Sequence, residues 1–249
     1  MGIFDDEYAN VFSLFVFDHG PAGMVFLGGA DRVQHSFCVP HPAAGNEITI
    51  SPRAGESTSL GRIGERYSVP DIEVSQVGSR RERNAFIKFP WRIYQNDPAW
   101  VPPLILERKA FLDRARHPFY EHGDAALFLA RRNGEIVGRI MASDDPNYNS
   151  LHRSSVGCFG LFDCVDDVDL ARVLFEAAAD WLRQKGRSEI MGPIDYSTNY
   201  VCGLLIDGFE HSPTLLTAHN PPYYARLIEA CGFAKEKDWY AWWLSLIHI

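Results

Sequence analysis

The chain is short of the residues that several functions require. Its 24 Lys and Arg are outnumbered by 32 Asp and Glu, for a formal net charge of −8. That balance argues against a nucleic-acid partner, whose phosphates need clustered cations. Cysteine is scarce and scattered: Cys38, Cys158, Cys164, Cys202 and Cys231 are odd in number and form no CxxC pair. A disulfide framework and the common zinc spacings are therefore excluded, and reduced, mostly buried thiols in a cytoplasmic protein are expected. No apolar run reaches the ~18–20 residues of a membrane-spanning helix, so no membrane span is expected. The N-terminus, MGIFDDEYANVFSLFVF, carries acidic charges where a secretory signal needs a basic start. No HExxH or HxxxH occurs, and no metal site is expected. His117, Glu121, His122 and Asp124 read as a solvated turn.

Hydrophobic residues make up 46% and charged residues 22%, a globular composition able to support a sizeable core. Residues 1–70 are broken every few positions by Gly, Pro and Ser, as in DHGPAGMVFLGGAD and SPRAGESTSLGRIGERYS. No helical stripe survives that punctuation, so 1–70 reads as a leader of low order, with short strands near Val11–Phe17 and Glu47–Ile50. Residues 71–249 read as one domain.

Within that domain DIEVSQVG alternates as a strand, and Ser79 caps a helix that Pro90 must kink or end. LILERKAFLDRA reads as a second short helix. AALFLARRNGEIVGRIMASDD is a hairpin around Asn133-Gly134. SSVGCFGLFDCV is a strand. Leu170, Val173, Leu174, Ala177, Ala178 and Trp181 form the apolar stripe of a helix from Val168 to Lys185, ended by Gly186. SEIMGPI, SPTLLTA and DWYAWWL read as strands. PPYYARLIEACGF is a helix opened by Pro and closed by Gly232. The order β-α-α-β-β-β-α-β-β-α-β implies an α/β fold with a mixed central sheet and helices on both faces.

Polar residues crowd GPIDYSTNYVCGLLIDGFEHSP, after a buried strand. Tyr196, Ser197, Thr198 and Asn199 are candidate substrate-binding residues there, because strand-end loops commonly meet ligands. Cys202 with Asp207, His211 and His219 offers a weaker reading as a thiol-nucleophile set. The turn DCVDDVDLA holds Asp163, Asp166, Asp167 and Asp169 and no glycine. These carboxylates suit helix capping, Asp166 and Asp169 having the spacing of a capping box.

FPWRIYQNDPAWVPPL, HPFYEHGDAALFLARRNGEIVGRI, GPIDYSTNYVCGLLIDGF and HNPPYYARLIEACGF together resemble a bacterial family within the GNAT acyl-CoA N-acyltransferases, over about residues 72–244. The resemblance implies acyl-CoA, typically acetyl-CoA, as co-substrate and a small-molecule or peptide amine as acceptor. It implies that Gly160, Leu161 and Phe162 bind the thioester through backbone N–H groups, with Asn220 on the pantetheine chain. It also implies a base and an acid, for which Asp195 and Tyr224 are the candidates. Three departures stand out. The pyrophosphate turn lacks its basic residue and both glycines. The usual Tyr position is Ile228. Asn220 lies one residue further from Gly232 than the common spacing. A GNAT-like module without CoA binding is the alternative. Members of the family extend further, and LSLIHI resembles translated adapter sequence, so the domain is expected to be C-terminally incomplete.

Overall fold

A computed structural model describes residues 30–38, 67–69 and 71–242. The expected strands near Val11–Phe17 and Glu47–Ile50, and the LSLIHI end, lie outside the described residues. Within the expected leader two strands are found, β1 (Ala30–Cys38) and β2 (Tyr67–Val69). The remaining strands are β3 (Ile72–Gln76), β4 (Asp124–Arg132), β5 (Glu135–Asp144), β6 (Val156–Cys164), β7 (Glu189–Gly192), β8 (Leu204–Asp207) and β9 (Ala234–Trp242). They form one mixed sheet in the order β2-β3-β4-β5-β6-β7-β1-β8, with β9 also paired to β1. Only β6 and β7 run parallel among these pairs.

Helices cover both faces. Along β4, Ala126, Phe128 and Ala130 face a cluster containing Leu170, Leu174 and Phe175 of α5 (Val168–Gln184) and Leu227 of α6 (Tyr224–Ala230). Ala125 and Leu129 face Phe86 and Ile87 of α1 (Arg80–Lys88) and Phe111 of α3 (Ile105–Phe111). The period of two in the strand sorts side chains between the two cores.

Local rules explain most boundaries. Ser79 and Glu82 close a capping box on α1. The helix stops before Pro90, which opens the single turn α2 (Pro90–Ile93). Asn133 and Gly134 both take positive φ, as the tight hairpin requires. Gly186 at φ 78 ends α5 in a Schellman pattern: its N–H donates to Arg183 and that of Arg187 to Leu182.

One expected strand needs correction. SPTLLTA is not a strand; the strand lies earlier, at β8, where Leu204 and Leu205 are buried, whereas Leu215 is exposed. A helix unforeseen in the sequence, α4 (Pro146–His152), is capped by Asp145. Trp181 is half-buried, at the margin of the core, with Lys185 Nζ 5.0 Å from its ring centroid. Among the described residues no helix is long and apolar enough to cross a membrane.

Candidate functional site

The parallel β6–β7 pairing ends at Cys158 and Met191. Beyond it β6 carries a bulge: the register against β5 shifts between Arg139 and Met141, and Leu161 takes φ 43. Here Ile194 and Asp195 close against the strand. A Cβ at Gly160 would lie 2.4 Å from the Ile194 carbonyl oxygen and 2.6 Å from Asp195 Oδ1, so glycine is what permits the approach. The Leu161 N–H donates to Asp195 Oδ1 at 2.9 Å. Asp195 is buried, and burial raises its pKa to about 6 against the opposing effects of Arg108, the Leu161 amide and Arg139. Phe162 stacks on Phe175 with ring centroids 4.8 Å apart.

Two residues beyond Leu161, Asp163 anchors a buried polar cluster. Arg139, its partner across the β5–β6 pair, donates from Nε at 2.8 Å and holds its other fork nitrogen 2.7 Å from the same carboxylate. The Arg139 guanidinium also donates to the Phe86 carbonyl at 2.9 Å and lies 4.8 Å from the Phe86 ring centroid. The hydroxyls of Tyr94 and Tyr224 both donate to Asp163 Oδ1, at 2.8 and 3.1 Å. The Cys164 N–H in turn donates to the Tyr224 hydroxyl at 3.0 Å. Burial, then the Asp163 charge, pushes both phenols well above their ordinary pKa.

Tyr94 also lines an open cavity of ≈ 350 Å³. Ile93, Tyr94, Asn96, Asp97 and Pro98 come from the exit of α2; Pro221, Pro222 and Tyr223 come from the approach to α6. Asp97 Oδ2 lies 2.7 Å from His219 Nε2, and its Oδ1 accepts the Ala99 N–H at 2.9 Å. Trp100 stacks on Tyr94 at 5.1 Å and holds the α2 exit in place. On the opposite wall Tyr223 donates to the Cys164 carbonyl at 2.8 Å.

The other candidate residues separate into different surroundings. Asn220 is buried, its Oδ1 accepting the Leu205 N–H at 2.7 Å and its Nδ2 donating to the Leu205 and Pro221 carbonyls at 3.1 and 3.0 Å. That amide ties the loop to β8. Tyr196, at φ 64, is buried in an aromatic cluster with Phe111, Phe119 and Tyr120, and its hydroxyl donates to the Phe111 carbonyl at 3.2 Å. Ser197 is half-buried, and Thr198 and Asn199 are exposed at the turn. The Cys202 thiol is buried and pushed up to about 11, opposite to what a thiolate nucleophile needs, while His219 is engaged with Asp97. Among the described residues no group of three or more His, Cys, Asp or Glu side chains is placed to hold a metal ion.

All four acidic-turn carboxylates are engaged. Asp163 holds Arg139, Asp166 pairs with Arg226, and Asp169 accepts from Arg172 at 2.8 Å. The N-cap of α5 is Asp167, which corrects the expected Asp166–Asp169 box: its Oδ1 accepts the N–H groups of Asp169 and Leu170 at 3.0 and 3.1 Å. Its Oδ2 accepts from Arg132 at 2.5 Å.

No protein-family model matches the chain. Over 167 residues it is 39% identical to Protein YghO of Escherichia coli (strain K12), an alignment covering 67% of this chain and 43% of that protein. Over 177 residues it is also 39% identical to the bacterial ceramide synthase of Caulobacter vibrioides, covering 69% of this chain and 45% of that protein. The aligned part thus spans less than half the length of either relative.

Proposed function

We propose that the protein transfers an acyl group from an acyl-CoA thioester to an amine. The observation carrying this reading is the 39% identity over 177 residues to a protein named as a ceramide synthase. A ceramide is the amide of a fatty acid with a long-chain amino alcohol, so its synthesis makes an N-acyl bond. The GNAT resemblance points to the same bond. The described geometry supplies supporting features: a bulged strand beside the single parallel pair, with the Leu161 N–H and the Asp195 carboxylate meeting at the bulge. In this reading the acyl oxygen takes the Leu161 N–H in place of Asp195 as charge develops on it. Asp195, at about 6, is then beside the reacting carbonyl and suited to accept the amine proton. Tyr224 supports Asp163, to which its hydroxyl is bonded.

A second reading, a module that does not bind CoA, is favoured by one observation. Asp167 occupies the N–H groups of Asp169 and Leu170, where the resemblance would put the pyrophosphate. Calorimetry with acyl-CoA separates the two. Changing Asp166 and Asp167 together to Asn removes two negative charges and releases Arg226 and Arg132 from ion pairs. One unit charge at ~7 Å and an effective dielectric of ~20–40 is worth roughly 1–2 kcal/mol before screening. The acyltransferase reading predicts that the double variant binds several-fold tighter. Absence of binding in both folded proteins selects the module.

A further inference from the structure

The cavity between the α2 exit and the approach to α6 has a lining that singles out one kind of ligand. We propose that it is the acceptor subsite, and that it takes the ammonium group of an amine bearing an apolar chain. The proposal rests on the acyl-transfer reading for its reaction, but its argument comes from the cavity walls.

The first observation is charge. Among the described residues on the lining, Asp97 is the one charged side chain, and none is Lys or Arg. Its side chain is 31% exposed, whereas that of His219 behind it is 5% exposed. The carboxylate is fixed from behind by the imidazole at 2.7 Å and from the side by the Ala99 N–H at 2.9 Å. An oriented carboxylate in a partly desolvated wall attracts a cation and repels the phosphates of CoA.

The second observation is the rest of the wall. Ile93, Pro98, Pro221 and Pro222 present aliphatic surface, and Tyr94 and Tyr223 add rings. The prolines have almost no side-chain freedom to lose when a ligand binds. The hydroxyls of both tyrosines are turned inward, to Asp163 and to the Cys164 carbonyl. What remains for a ligand is mainly hydrocarbon contact beside one carboxylate and the Asn96 amide. A volume of ≈ 350 Å³ is at the small end of ligand sites and suits a head group with the first part of a chain.

The third observation is position. Both walls are bonded to the C-terminal end of β6, at Asp163 and Cys164. The bulge proposed for the donor carbonyl lies on that same strand, two residues before Asp163.

A purely structural role for Asp97, pinning one loop to another, predicts different behaviour, so the test uses binding. The full chain is titrated calorimetrically with decylamine, 1-decanol and decanoate. Decylamine is expected to bind saturably, 1-decanol about ten-fold or more weakly, and decanoate not at all. Asp97→Asn keeps the shape and removes the charge; its oxygen can still accept the Ala99 N–H, while an NH2 donor replaces the oxygen that faces His219. It should lose about ten-fold in decylamine affinity while leaving 1-decanol unchanged. Asn96→Lys leaves the Asp97–His219 pair intact and places a cation on the same wall; it should also weaken decylamine selectively. Equal affinity for decylamine and 1-decanol, or decylamine binding indifferent to both variants, would overturn the proposal. Decylamine captured through Asp97 by a protein that releases no thiol from acyl-CoA sinks the acyl-transfer reading and leaves the amine site standing. Amine-dependent thiol release that is unaffected by Asp97→Asn and Asn96→Lys does the reverse.

Discussion

Asp195 is buried with the Leu161 N–H on its carboxylate, and burial raises its pKa to about 6. An unfolded aspartate titrates near ~3.9, so the folded protein holds this proton more tightly. Its contribution to stability is full below about pH 4 and is lost as pH rises through 6, an effect of roughly 3 kcal/mol at most. Asp195→Asn cannot ionise and still accepts from Leu161. It should therefore be more stable than the parent at pH 7.5, with the gap closing towards pH 4. Urea denaturation at both pH values checks this; a gap independent of pH would contradict it. Across the strand pair, Asp163 and Arg139 form a buried ion pair. Removing either partner leaves a buried charge uncompensated, at a cost of about 3–5 kcal/mol. Asp163→Leu combined with Arg139→Met is predicted to cost less than Asp163→Leu alone, as chemical denaturation will show.

At the level of elements, the most legible parts of the sequence were those fixed by local chemistry. Asn133-Gly134, the Ser79 cap and Gly186 each determine backbone geometry within a few residues, and all three are found where expected. SPTLLTA reads as a strand because Thr-Leu-Leu-Thr has strand composition, but pairing in a sheet is settled by tertiary partners. There Thr217 Oγ1 donates back to the Thr214 carbonyl, and Leu215 stays in solvent. Helix α4 is hard to see in the sequence because PNYNSLH has no apolar stripe; Asp145 and Pro146 are its available signals. The cap of α5 lies one residue later than the capping-box spacing implies, in a run where Asp166 and Asp167 are equivalent by type. The structure distinguishes them: Asp167→Ala should cost about 1–2 kcal/mol through the lost cap, and Asp166→Ala, an exposed pair with Arg226, under 0.5 kcal/mol. Thermal denaturation of the two variants decides; equal losses would put the cap elsewhere.

Taken as a whole, the molecule gathers its candidate site from segments far apart in the chain. Asp97 and His219 are separated by 122 positions, and Tyr94 and Asp163 by 69. No spacing rule reaches over such distances, which is why the sheet class could be read from the sequence while the cavity could not. The residues that were foreseen are split by the fold. Asp195, Gly160 and Leu161 meet at the bulge, Phe162 packs on Phe175, Tyr224 lies in the Asp163 cluster, and Thr198 and Asn199 are exposed to solvent. The turn rich in aspartate has a consistent structural role: four carboxylates, each engaged by an arginine.

The central claim is amide formation, and the most direct measurement is the mass of the product. The full chain is incubated with acyl-CoAs of increasing chain length and with decylamine, and the mixture is resolved by mass spectrometry while free thiol is followed. The account predicts thiol release that requires both protein and amine, with a product whose mass is that of the acyl group joined to the amine with loss of one amine hydrogen. Folded protein that binds decylamine yet yields neither thiol nor amide with any acyl-CoA would contradict it.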